Sequence, residues 1–370
     1  MSTTEKKSRG GLNIPRNAYP TLAALILLVV LLVGGELVYG KIFRFNTVSS
    51  LLDNNAYLII LAVGLTFCIL TGGIDLSVGA VVAFSSVAGV MMLNAGIPFF
   101  IVMPAMVLMG TAFGLLSGIL VQYFNVQPFI ATLATMFLAR GLASILSTEP
   151  VRIDEGNPIL GLAARITLVD IPKNKLYVSV NILIALAVVL IAYFLLHKTR
   201  FGRTVYGLGE NEGSVELMGL PAARTNVMVY VISGTCSGLA ALVYATTVGN
   251  AQNITGTGWE LDAIAATVIG GTLLTGGAGY VLGSVGGVFV LGTLRLLINR
   301  DGSVPAAATT IITGAILLIF VLLQRAIAAR TEATTTTITG AEDDSSPKGD
   351  AKSAAVGAGS AAAAGDGSTA

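Results

Sequence analysis

From Leu76 to Ala139 the chain reads LSVGAVVAFSSVAGVMMLNAGIPFFIVMPAMVLMGTAFGLLSGILVQYFNVQPFIATLATMFLA, without one Lys, Arg, Asp or Glu. A helix exposed to water carries charge on its outer face; an apolar run beyond about 18 residues is long enough to cross a bilayer instead. Two further stretches, Thr225 to Trp259 and Ala263 to Leu294, are equally bare of charge. The whole chain follows suit: of 370 residues, 54% are apolar and 11% charged, with a mean hydropathy of +0.83. The usual charged share is about 25%, so a soluble globular enzyme is excluded and an all-α polytopic membrane protein is expected.

Working outward, the apolar pattern yields ten spans: Thr21–Tyr39, Ala56–Leu70, Ser77–Leu93, Pro98–Phe124, Pro128–Ser147, Tyr177–Leu196, Val227–Val248, Asp262–Thr275, Val281–Ile298 and Pro305–Leu323. The second and eighth are short for a hydrocarbon core of about 30 Å. Both run into Thr-Gly-Gly, and irregular backbone at membrane depth is tolerated only inside protein or beside water. The break also repeats: Ile69-Leu70-Thr71-Gly72-Gly73 returns as Leu273-Leu274-Thr275-Gly276-Gly277 at an offset of 204, which also carries Gly79 onto Gly283. With ten spans the two copies follow spans of the same direction, so the halves read as parallel repeats.

Basic residues set the orientation, because cytoplasmic loops are enriched in Lys and Arg. A cytoplasmic N-terminus places twelve of them inside and seven outside. The expected organisation is a cytoplasmic tail over 1–20, a transmembrane domain over 21–325 with a cytoplasmic loop at 197–226, and a low-complexity tail over 331–370. That tail, rich in Thr, Ala, Gly and Ser, lacks the apolar content to fold and is expected to be disordered. Both termini then lie in the cytoplasm, and no cleavable leader is expected, since the basic stretch Lys6–Arg16 leads straight into the first span.

Several chemistries are excluded. The chain has no G-x-x-x-x-G-K-[ST], H-E-x-x-H or G-x-S-x-G motif, so no ATP-cradling loop and no familiar hydrolase centre is expected. The net charge of +1 leaves no nucleic-acid footprint. Two cysteines, Cys68 and Cys236, lie in apolar spans and with the single His197 cannot build a usual zinc site. Neither metal nor cofactor is expected.

Three stretches carry the candidate function. The first is Thr71-Gly72-Gly73-Ile74-Asp75-Leu76-Ser77-Val78-Gly79, where Asp75 is the only acid between Asp53 and Glu149. An ionisable group between long apolar runs is a functional candidate by default; Asp75 either caps the third span, contacts a substrate, or both. With Gly72, Gly73, Ser77 and the second break Thr275-Gly276-Gly277 it forms the candidate substrate path. The second stretch places Trp259, Glu260 and Asp262 at the mouth of the eighth span. Trp259 reads as an interfacial anchor or as a stacking surface for a sugar ring, and the two acids as helix caps or docking contacts.

The third stretch lies in the cytoplasmic loop. Asn211 to Met218 form a short amphipathic helix closed by Gly219 and Pro221, either docking on a soluble partner or simply solvated. Glu210, Asn211, Glu212, Glu216, Leu217, Met218 and Gly219 are its candidate contact residues.

Together these blocks resemble the membrane permeases of ribose-type sugar ABC importers, over roughly Leu51 to Arg325. The resemblance rests on Leu65-Thr66-Phe67 through Gly79, on Thr199–Pro221, and on Glu260–Thr272 followed by Thr275-Gly276-Gly277. Phe67 through Phe84, Ala139-Arg140-Gly141 and Arg200-Phe201-Gly202 look most like the galactofuranose-type permeases. The resemblance implies no enzyme activity in this chain, cytoplasmic ABC ATPase subunits that hydrolyse ATP, a periplasmic sugar-binding protein, and a second permease copy or paralogue. It implies that Glu210 to Gly219 couple to the ATPase, that galactofuranose, ribose or a similar aldose is carried, and that the chain sits in the bacterial inner membrane. An ion-coupled secondary sugar carrier is the alternative, but it calls for intramembrane acids, of which Asp75 is nearly the only one. The tail after Arg330, Gly279-Tyr280 and Asp301–Ala308 depart from the family pattern.

Overall fold

The computed structural model describes residues 19–171, 174–301 and 310–322. All of them fall in the unit Met1–Gln324; the expected tails, up to residue 18 and from 331 onward, lie outside the described residues. The helices are α1 (Tyr19–Tyr39), α2 (Phe45–Leu70), α3 (Val78–Asn94), α4 (Phe99–Gln122), α5 (Pro128–Leu146), α6 (Val180–Lys198), α7 (Arg200–Glu210), α8 (Glu212–Leu217), α9 (Ala222–Val248), α10 (Trp259–Ile269) and α11 (Val281–Asp301), followed by α12 (Thr310–Leu322). Among the described residues, seven helices are long and apolar enough to cross a membrane, namely α1, α2, α4, α5, α6, α9 and α11, while α3 and α12 are shorter apolar helices. Helices dominate because a spanning segment must satisfy its own backbone hydrogen bonds.

The centre is α2, whose inner stretch from Asn55 to Leu70 is buried at nearly every position. Around it pack α9, α11, α6 and α10, and the most extensive contact in the bundle is α4 against α9. Glycines make that contact possible. A Cβ on Gly110 would run into the carbonyl of Gly234, and one on Gly114 into the carbonyl of Tyr230, so the two backbones approach as only small residues allow.

Three expectations need correction. The second span is not short: α2 starts at Phe45, eleven residues before Ala56, and is 26 residues long. Its early turns carry Asp53 and Asn55, which look unfit for an apolar helix but are buried and partnered. Asp53 accepts a 2.6 Å hydrogen bond from the Ser179 hydroxyl, and Asn55 donates to the carbonyl of Leu51 at 2.7 Å. The eighth span is shorter than expected, since α10 ends at Ile269, six residues before Thr275.

The third correction concerns the start of the sixth span at Tyr177, because the folded connection before it runs on to Ser179. Strand β1 (Val151–Arg152) is followed by a 3₁₀ turn, Pro158–Ala163, and by β2 (Arg165–Ile171) and β3 (Asn174–Ser179). β2 and β3 form an antiparallel hairpin, and β1 pairs antiparallel with β4 (Asn250–Ala251). Tyr177 therefore lies in a strand. The sixth helix starts at Val180, where the Ser179 hydroxyl caps it by accepting from the amide of Ile182 at 3.3 Å.

Candidate functional site

α2 ends at the first Thr-Gly-Gly. Its last carbonyls are satisfied locally: the amides of Gly72 and Gly73 donate to Ile69 and Cys68, each at 2.9 Å, with Gly72 at a φ of +79°. A positive φ at a helix end suits glycine because no Cβ opposes it. The chain then runs irregularly to Ser77, which opens α3.

Asp75 lies in that irregular run with no exposure to solvent. One carboxylate oxygen accepts from the Ser77 amide at 2.9 Å and the Ser77 hydroxyl at 2.6 Å. The other accepts from the Ser233 hydroxyl of α9 at 2.7 Å. The carboxylate thus organises the start of α3 from two residues ahead, while Ser77 occupies the cap position itself. From α5, the Thr132 hydroxyl donates to the carbonyl of Ile74 at 3.1 Å. The non-helical segment is wired to two neighbours, which is what irregular backbone inside a membrane requires.

The second break comes to the same place. The amide of Gly277 donates to the carbonyl of Leu70 at 2.9 Å, so the two Thr-Gly-Gly copies meet directly. Gly276 and Gly277 have φ of +86° and +76°. Against both lies the end of α7: a Cβ on Gly209 would strike the carbonyl of Leu70 and the amide nitrogen of Gly277. Glu210 flanks Gly277, and the Tyr206 hydroxyl donates to the carbonyl of Gly279 at 2.7 Å. Gly72, Thr275, Gly276, Gly277 and Glu210 are therefore one cluster, with Gly73, Asp75 and Ser77 directly beside it in the chain.

Trp259, Glu260 and Asp262 form a separate group at the start of α10, and their side chains diverge. Trp259 stacks on Tyr57 with ring centres 4.2 Å apart and meets Tyr244 edge-on at 4.8 Å. Asp262 pairs with Arg295 of α11 at 2.6 Å. Glu260 interacts with the charge of Arg140, a residue the reading of candidate sites passed over. Arg140 stands inside α5 and its Nη1 donates to the carbonyls of Asn253 and Thr255, each at 2.6 Å. It fastens the non-helical segment before α10, whose Gly256 carbonyl would be struck by a Cβ on Gly79. The available signal was its isolation: a lone cation in an apolar span is a functional candidate by default.

The short helix in the connection is present as α8. Asn211 caps it, its side chain accepting from the Ser214 amide at 2.9 Å. Gly219, at a φ of +70°, ends it with reverse hydrogen bonds from Gly219 to Glu216 and from Leu220 to Val215. Val215 is buried against Leu208 and Ala222, whereas Leu217 is 91% and Met218 66% exposed. Glu212 and Glu216 are exposed as well. Ahead of α8, the expected loop 197–226 also holds the helix α7.

No solved structure matches the chain. Among curated proteins, the chain is 50% identical over 306 residues to a fructose import permease protein of Bifidobacterium longum, covering 82% of this chain and 90% of that one. It is 40% identical over 260 residues to an inner membrane ABC transporter permease protein of Escherichia coli K12, covering 70% and 77%. A ribose import permease protein of Haemophilus influenzae is 36% identical over 279 residues, covering 75% and 84%. Residues 47–321, from the first turn of α2 through α12, match the model of a family described as branched-chain amino acid transport system / permease component, and the chain belongs to that family.

Proposed function

We propose that this chain is the transmembrane permease of an ABC importer for a monosaccharide. It is a transport protein and not an enzyme, and it is a multi-pass membrane protein. Two of its relatives are named as import permease proteins for fructose and ribose, and a third as a permease protein of a D-allose transport system. The observation that carries the reading is the meeting of the two Thr-Gly-Gly breaks against α7, in a chain whose relatives bear those names. Such a junction joins the helices that would line a path to the short α8 that would receive a soluble motor.

In this reading ATP is hydrolysed by separate cytoplasmic ABC ATPase subunits docked on Glu212, Glu216, Leu217 and Met218. A periplasmic binding protein delivers the sugar, and a second permease copy or paralogue completes the channel. The chain lies in the inner membrane with both termini in the cytoplasm. The path runs beside Gly72, Gly73, Asp75, Ser77 and Thr275–Gly277, with Trp259, Glu260 and Asp262 at its mouth. Galactofuranose, ribose or a similar aldose is the substrate, selected mainly by the binding protein.

The test is reconstitution of the chain with the ATPase and binding protein encoded beside it. Sugar uptake into proteoliposomes should require ATP and both partners. Uptake that proceeds without the ATPase, or that follows an imposed proton or sodium gradient, overturns the reading.

A further inference from the structure

On the side of the first break that faces α8, Thr71–Gly73 border a cavity of about 290 Å³. At about 30 Å³ per water, that is room for about ten waters, or one small organic molecule. Its lining is largely polar, with Gln122, Asn125, Gln127, Asn226, Glu212 and Tyr230 around it. Among them, Asn226 donates to Gln122 at 2.8 Å.

Two further features mark the place as built. The Tyr230 hydroxyl is buried and has no hydrogen-bond partner among the described residues. Buried hydroxyls nearly always have one, so an orphan asks for a ligand or water. It lies against the bare backbone of Gly73, where a Cβ would strike it. Asn125 is held at a φ of +51°, a region that Asn tolerates better than most residues.

We propose that this cavity is a second binding site for a neutral monosaccharide, on the face of the bundle that carries the coupling helix, and that Glu212 makes α8 sense its occupancy. The inference rests on the permease reading above. The chemistry favours a neutral polyol: carboxamides and hydroxyls match sugar hydroxyls in both donor and acceptor sense. No cation lines the space to hold a phosphate or carboxylate, so sugar phosphates and amino acids are disfavoured. A sugar lying here touches the break on one side and α8 on the other, and so holds the two in one arrangement.

The test measures binding of radiolabelled fructose, ribose and allose to the permease alone in nanodiscs, with glucose 6-phosphate and leucine as controls. Saturable binding of a neutral sugar, and of neither control, is expected. Asn226→Leu, which removes one carboxamide of the lining, should weaken it about fivefold, the equivalent of about 1 kcal/mol for one hydrogen bond. Gln127→Leu, at an exposed position, should weaken it similarly, and Glu212→Gln should uncouple sugar binding from ATP turnover in the assembled transporter. If the wild-type complex transports sugar but the permease alone binds none, or if both variants bind as the wild type does, the site is overturned and the permease reading stands. Binding with these variant effects in a complex that transports nothing supports the site and overturns the permease reading.

Discussion

The carboxylate of Asp75 accepts a 2.7 Å hydrogen bond from the hydroxyl of Ser233, 158 residues away on α9. With the two bonds from Ser77, that link makes Asp75 the fastening point of the segment between α2 and α3.

The expected consequence is structural before it touches transport. Asp75→Ala leaves two hydroxyls and an amide without their acceptor, and a buried polar group deprived of its partner costs about 1–3 kcal/mol. Thermal unfolding in detergent should show that loss. Asp75→Asn retains one oxygen for Ser77, and the Ser233 hydroxyl can turn to accept, so stability and transport should both stay near wild type. A stable Asp75→Asn protein without transport would show that the carboxylate acts on the substrate directly.

Gly209 supplies a second prediction. It lies where the two breaks meet, and a methyl group there collides with backbone rather than with a flexible side chain. Gly209→Ala must push α7 away from Leu70 and Gly277. Alanine favours an isolated helix by about 1 kcal/mol over glycine, so helical content should not fall. The expected phenotype is a folded permease that retains its ATPase on purification but loses most sugar-stimulated ATP hydrolysis. Unchanged stimulation would show that the junction does not transmit movement.

A third prediction separates the two faces of α8. Leu217 and Met218 project outward while Val215 is buried against Leu208. Leu217→Asp with Met218→Asp should leave thermal stability within about 0.5 kcal/mol, as surface changes usually do, yet abolish co-purification of the ATPase and transport. Val215→Asp should instead destabilise the connection by burying an unpaired charge. Normal ATPase retention in the double variant would place the contact elsewhere on the chain.

These contrasts show what was legible before the fold was known. Asn211 and Gly219 bound α8 because their caps act within a few residues, and such local rules survive transfer to the folded chain. The Thr-Gly-Gly copies were visible as a pair, but their contact was not, since a hydrogen bond between Leu70 and Gly277 spans two hundred residues of sequence. The start of α2 was misread for a related reason. Asp53 and Asn55 look polar in a local window, and only Ser179 and a neighbouring turn make their burial acceptable. The hairpin of β2 and β3 escaped notice because a stretch of mixed charge gives little periodicity.

Arg140 gives the last prediction, and it follows from an interaction that no local window reveals. Its guanidinium, inside α5, serves as a double donor to the carbonyls of Asn253 and Thr255. Hydrogen bonds to charged groups contribute about 1.5–3 kcal/mol each, and the carbonyls lose their partner if the donor goes. Arg140→Met keeps the length and apolar stem but removes both bonds. It should lower the unfolding temperature and release the segment before α10, which brings Glu260 out of position. Arg140→Lys presents a single ammonium in place of the planar fork, so it should restore stability only in part. Proteolysis or hydrogen exchange localised to residues 249–258 provides the check, because loosening there and not in α5 is the signature of a lost clamp. An Arg140→Met protein with wild-type exchange in that segment, whatever its transport rate, would show that the segment holds itself.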